Sequence, residues 1–213
     1  MAKAVMADPT ACLFFRGGGF GAFWYNLGFG ATICSKPKGV ERFEGVSIGS
    51  ANAVLQALGG VSEAQALAAA ERTHQSVGIR LGALDVVLRH FLDILLPLDT
   101  HTRIAGRVRV IVCDPGKAFR GRAIMQWSSR QMVINSIVAS SYIPLLVGHG
   151  LRDPVFGCID GGLSLDLSRL TLRKITSAPR PALTECLWPF TADRAHQLYV
   201  RGSSDAISVY GPG

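Results

Sequence analysis

Three times along this chain a short strand-like run ends abruptly in glycine. Ala11–Phe15 runs into Arg16-Gly17-Gly18-Gly19-Phe20-Gly21, Phe43–Ser47 runs into Ile48-Gly49, and Val155–Ile159 runs into Asp160-Gly161-Gly162. Such short runs bounded by turn formers read as strands rather than helices. Glycines at the strand ends let the backbone turn sharply or approach another group closely. Helical patterns fill the intervals, so the chain alternates strand and helix. That alternation predicts an α/β layered domain around a mostly parallel sheet.

The remaining elements fit the same frame. Ala22–Ile33 and Gly49–Leu58 pattern as helices, the second stopped by Gly59-Gly60. Ser62-Glu63-Ala64-Gln65 is a capping box that opens an alanine-rich helix to about Val77. Leu84, Val87, Leu88, Phe91, Leu92 and Leu95 follow the spacing of an amphipathic helix that Pro97 ends. Arg107–Cys113 alternates and is rich in β-branched residues, which predicts a strand, with Ala123–Trp127 as its partner. Ser129–Ala139 and Asp193–Val200 pattern as helices, and Leu170–Ile175 as a last strand. No internal repeat is present, and the proline-rich stretch 179–189 does not divide the chain. A single domain over residues 1–213 is expected.

Composition narrows the class. Hydrophobic residues make up 48% and charged residues 17%, against about 25% charged in an average soluble domain, which excludes a disordered chain. Cysteines at 12, 34, 113, 158 and 186 form no C-x-x-C pair and have no histidine at ligand spacing, so buried thiols are expected and no metal or other cofactor. No secretory signal pattern opens the sequence. Cys12–Cys34 carries Arg16 and several glycines, and Leu84–Leu98 is short and charged, so no transmembrane helix is expected. The formal charge is +7, all of it from residues 100–213, where 14 basic side chains face 7 acidic ones. An excess of that kind suits an anionic membrane surface. Nucleic acid is not expected, because no basic stripe is interleaved with aromatics in a known module.

The chemistry concentrates at the three glycine boundaries. Gly45-Val46-Ser47-Ile48-Gly49 is a G-x-S-x-G pattern between a strand and a helix, the context of a nucleophile elbow. A tight strand-to-helix turn pushes the serine hydroxyl outward, and the residues two before and two after it must be small. The glycine cluster before it, 28 residues from Gly19 to Ser47, exposes backbone N–H groups that can cradle an anion. It lacks the lysine end of a phosphate loop and the acidic partner of a dinucleotide site, so an oxyanion hole is the better reading. Asp160, at a strand end with two glycines behind it, can reach across the sheet rim.

In order and spacing these three motifs resemble the patatin-like phospholipase family, most closely its branch with adipose triglyceride lipase and adiponutrin. Leu96-Pro97 with His101-Thr102, the strand Arg107–Val112 and Ser140-Ser141-Tyr142-Ile143-Pro144 add to the likeness, which covers roughly residues 11–176. The resemblance implies a three-layer sandwich with helices on both sides of the sheet. It implies a lipid acyl hydrolase that cleaves phospholipid or acylglycerol esters with a Ser–Asp dyad. Ser47 would be the nucleophile, Asp160 the base, and Gly17, Gly18, Gly19, Phe20 and Gly21 the oxyanion loop. Phe20, Trp24 and Tyr25 are candidates for the acyl pocket. The implied partner is lipid at a membrane or droplet surface, met from the cytoplasm, with a protein activator as a further partner. Two departures stand out: Ala22 replaces the last glycine of the family's G-x-G-x-x-G, and Leu163-Ser164-Leu165-Asp166-Leu167 replaces the Asn and Pro that often follow Asp-Gly-Gly. Two other readings stay open. One is a Ser47–Asp160–His196 triad, and the other a lipid-binding domain with a decayed site.

Overall fold

The computed structural model describes residues 12–36, 40–78, 82–170, 175–179 and 191–211. Ala11, Cys186 and nearly all of the proline-rich stretch fall outside them. In chain order the elements are β1 (Cys12–Phe15), α1 (Gly19–Cys34), β2 (Arg42–Val46), α2 (Gly49–Ala57), α3 (Glu63–Val77), α4 (Leu84–Leu95) and α5 (Thr100–Arg103). There follow β3 (Val108–Asp114), β4 (Arg120–Ile124), α6 (Arg130–Ser140), β5 (Ile159–Asp160), α7 (Leu167–Leu170), β6 (Ile175–Thr176) and α8 (Ala192–Tyr210).

The strands form one sheet in the order β4-β3-β2-β1-β6. β1 pairs parallel with β2 and β6, and β2 parallel with β3. β4 is antiparallel to β3. β5 is also antiparallel to β3, and it pairs just beyond the reach of β2: Val46 lies opposite Ile111, and Asp160 opposite Val112. β1 and the middle of β3, Val110 to Cys113, are apolar on both faces because both faces are covered. The largest cluster of buried side chains joins Leu13, Phe15 and Phe43 of the sheet to Phe23, Leu27 and Phe91 of the helices. Edge-to-face contacts of Phe23 with Trp24 and Phe91 knit α1 to α4.

The helix signals hold where local chemistry specifies them. The Ser62 hydroxyl accepts from the Gln65 N–H at 3.1 Å, and Gln65 Oε1 accepts from the Ser62 N–H at 2.8 Å, which closes the capping box. α4 buries Leu84, Val87, Leu88, Phe91 and Leu92, the expected stripe.

Elsewhere the boundaries move. α1 starts at Gly19, three residues before the expected Ala22. β4 spans Arg120–Ile124 rather than Ala123–Trp127, because the 3-10 turn Pro115–Lys117 is capped at once by Asp114 and the return strand begins early. The expected strand Val155–Ile159 shrinks to two residues. Asp153 Oδ1 accepts from the N–H groups of Val155 and Phe156, which folds that run into a turn. The expected strand Leu170–Ile175 begins instead as α7, residues 171–174 lie outside the described ones, and β6 covers only Ile175–Thr176. α8 runs 19 residues, to Tyr210, well past the expected Val200.

Gly202 explains that length. A Cβ there would lie 2.0 Å from the Tyr25 carbonyl oxygen, and one on Gly28 would lie 2.1 Å from the Tyr199 carbonyl oxygen. Reciprocal glycines thus let the backbones of α1 and α8 touch. Among the described residues no helix is long and apolar enough to cross a membrane, and the four described cysteines form no disulfide.

Candidate active site

Ser47 sits where β2 ends and α2 is about to begin, at φ 55°. The left-handed region is costly for a residue with a Cβ, so the surroundings must impose it. They do so by contact. A Cβ on Gly45 would come within 2.4 Å of the Gly49 oxygen and of Ser50 Cα, and one on Gly49 within 2.4 Å of the Phe15 oxygen. Only glycine fits at both. The Ser47 N–H donates to Ser140 Oγ at 2.9 Å, and the Ser140 hydroxyl donates to the Ile111 carbonyl at 2.5 Å, so the elbow is pinned to β3 through the end of α6. The Ser50 hydroxyl donates to the Ser47 carbonyl at 2.6 Å.

The glycine cluster lies beside it. A Cβ on Gly17 would stand 2.6 Å from Ser47 Cβ, so residue 17 is glycine for the serine's sake. Gly18 and Gly19 have φ 141° and 64°, which glycine alone adopts without strain. Because α1 begins at Gly19, residues 19–21 form its first turn rather than a separate loop. No side chain caps that end. A helix N-terminus presents N–H groups and a partial positive charge, which suits a developing oxyanion. The approach is held from two sides: the Arg16 N–H donates to Ser177 Oγ at 3.1 Å, and buried Asn26 donates to the Arg16 carbonyl at 2.8 Å.

Asp160 comes in from β5. Its N–H donates to the Tyr142 carbonyl at 2.8 Å, and Oδ1 accepts from the Gly162 N–H at 2.7 Å. Oδ2 accepts from the Ser47 hydroxyl at 2.6 Å. Gly161 allows the approach, since a Cβ there would lie 2.1 Å from the Ile111 oxygen. The side chain is 5% exposed. Burial lifts its carboxyl to about 6, against hydrogen bonds from Ser47 and Gly162 that pull it down.

Both side chains open on a cavity of about 560 Å³, within the range of small-molecule sites. Gly17, Gly18, Gly19 and Phe20 line it, and Gly21 is buried behind them. The other walls are apolar: Leu84 and Leu88 of α4, Ile143, Leu146 and Val147 after α6, and Leu163 and Leu167 beyond Asp160. The Ser141 hydroxyl, buried at this wall, has no hydrogen-bond partner among the described residues.

Of the expected acyl-pocket aromatics only Phe20 lines the cavity. Trp24 lies one turn further into the core, 1% exposed, edge-on to Phe23. Tyr25 stacks on Phe29, and its hydroxyl donates to Asp205 at 2.8 Å. The reason is the early start of α1: with helix from Gly19 onward, each further turn carries side chains about 5.4 Å away from the mouth. His196 is exposed and meets Glu63 at 3.0 Å, so it is engaged on the surface, while Asp160 accepts the hydrogen bond from the Ser47 hydroxyl directly. Sequence reasoning missed Ser140 as the elbow's anchor and the α4 residues Leu84 and Leu88 as cavity wall. The apolar stripe of α4 reads as plain core, and nothing near Ser140 announces a partner 93 positions away. Among the described residues no group of side chains could hold a metal ion.

A central sheet flanked by helices is consistent with a patatin-like sandwich, and the chain resembles that family. Among curated proteins it is similar to patatin-like phospholipase domain-containing protein 4 of Homo sapiens, 29% identical over 168 residues, which cover 73% of this chain. The match spans 66% of the human protein's length. No family model matches the chain.

Proposed function

We propose that the chain is a lipid acyl hydrolase that cleaves carboxylic esters of phospholipids or acylglycerols with Ser47 as nucleophile and Asp160 as base. The observation that carries this reading is the 2.6 Å hydrogen bond from Ser47 Oγ to a buried carboxylate at the rim of an apolar cavity. The similarity to a protein named as a phospholipase supports the substrate class.

In this reading the Ser47 oxygen attacks the ester carbonyl while its proton passes to Asp160 Oδ2. The tetrahedral oxyanion settles against N–H groups of the Gly17–Gly21 segment at the start of α1. Loss of one such donor typically costs a factor of about 10²–10³. Asp160 then gives the proton to the departing alkoxide, which leaves an acyl-serine. In the second half Asp160 takes a proton from water, the hydroxide attacks the acyl carbon, and the proton returns to Ser47. A carboxylate with an ordinary value near 4 is a weak base, and a value near 6 suits it better. The apolar walls hold the acyl chain, and the Ser141 hydroxyl is placed for a substrate oxygen. The chemistry calls for no cofactor.

A fluorophosphonate probe tests the reading, together with mass-spectrometric product analysis on a mixed lipid panel. Labelling and fatty-acid release by the wild type, both abolished by Ser47→Ala, are the expected results. A protein that neither labels nor hydrolyses is a binding domain instead. A collapse of activity in His196→Ala would restore the triad.

A further inference from the structure

We propose that the mouth of the cavity docks on a lipid surface bearing anionic head groups, with Phe119, Leu145, Leu163 and Leu165 sunk among acyl chains. The proposal rests on the hydrolase reading and names the surface through which that site would meet its substrate. These four side chains are 45%, 69%, 50% and 82% exposed. Each is tied to the cavity wall through the chain or a hydrogen bond. Leu163 lines the cavity, Leu145 stands between the wall residues Ile143 and Leu146, and the Leu165 N–H donates to the Phe119 carbonyl at 3.1 Å. Scattered exposed leucines need no explanation, but several large apolar side chains exposed beside one apolar cavity mark an interaction surface.

The backbone adds an independent sign. Among the described residues four that are not glycine have positive φ: Ser47, Ala118, Phe119 and Leu145. One is the elbow serine. Two others, Phe119 and Leu145, hold bulky apolar side chains out into water from a strained conformation. Folding gains nothing from either choice, since a polar residue or glycine would serve a turn better. A surface that takes up those side chains accounts for both.

Charge selects the kind of surface. Arg16 is exposed at the cavity wall, Arg120 follows Phe119, and exposed Arg169 is two residues beyond the wall residue Leu167. Arginines beside an apolar rim match phosphate and carboxylate head groups over acyl chains. A docked protein would stopper the opening, whereas a lipid leaflet lets an acyl chain pass from one apolar medium to another.

Vesicle flotation with the Ser47→Ala protein tests the docking without hydrolysis. Expected is about tenfold or greater preference for phosphatidylcholine vesicles containing phosphatidylserine over phosphatidylcholine alone, lost in high salt. The double variant Leu145→Ser, Leu165→Ser should bind about tenfold or more weakly, and Arg120→Glu, Arg169→Glu should lose the preference for the anionic lipid. Ile207→Ser, an exposed apolar residue on α8, should bind as the parent does. Unchanged melting temperatures show that the variants are folded. Equal binding to neutral and anionic vesicles, unchanged binding by the leucine variant, or an equal loss in Ile207→Ser would overturn the proposal. Failure of the hydrolase reading shows separately, as absent Ser47-dependent hydrolysis of a soluble short-chain ester.

Discussion

Ser47 spends conformational energy, of order 1–3 kcal/mol for a left-handed residue with a side chain, to stand beside a buried carboxylate. Much of this was legible in the sequence because the constraint is local: glycines two positions either side of a serine, between strand and helix, have few other uses. Asp160 was legible from its two glycines, of which Gly161 proves to be the one that clears Ile111. Trp24 and Tyr25 do not line the cavity, because nearness in sequence to the loop does not survive a turn of helix. Ser140 stood in a segment that adds to the family likeness, but its anchoring of the elbow left no trace, since that role is set by what it meets and not by its neighbours. The carboxyl value near 6 gives a pH prediction. As the proposed base, Asp160 must be ionised, so Ser47-dependent hydrolysis of a soluble ester should level off above pH 7 and fall about tenfold per unit below pH 5. A stopped assay across buffers checks this, and a profile flat down to pH 4 would contradict Asp160 as the base.

At the scale of elements, capped and amphipathic helices were readable, and short strands were not. β5 and β6 hold two residues each, too few for any periodicity. The helix expected over Asp193–Val200 runs on to Tyr210 through Gly202-Ser203-Ser204. The helix continues there because packing outweighs the roughly 1 kcal/mol that a glycine costs a helix. Gly202→Ala is therefore the informative substitution. It improves helix propensity, yet its Cβ would strike the Tyr25 carbonyl. We expect a net loss of about 1–3 kcal/mol in urea unfolding. A fall in soluble-ester turnover should accompany it, because α1 carries the glycine cradle at its other end. A gain in stability would show that the two helices can separate cheaply.

For the whole molecule the buried carboxylate is a liability. The Asp160 carboxyl is raised on folding, so its contribution to stability is fully present below its unfolded value near 4 and is lost as pH rises through about 6. Above that the charge works against the fold by something on the order of 2–3 kcal/mol. Asp160→Asn can keep the bond from Gly162 and donate to Ser47. It should melt higher than wild type at pH 8 and lose that advantage at pH 4, while esterase activity disappears at both. Thermal unfolding at the two pH values checks it, and a lower melting temperature at pH 8 would refute it.

The serine hydroxyl and the carboxylate both hang from one strand. Ser47 is tied to the Ile111 carbonyl through Ser140, Gly161 presses on that same oxygen, and Asp160 pairs with the next residue, Val112. β3 thus acts as a caliper whose jaws are two neighbouring peptide units. Loops, cavity walls and rim can drift without changing the gap between hydroxyl and carboxylate, whereas slippage of β3 by a single residue would open it.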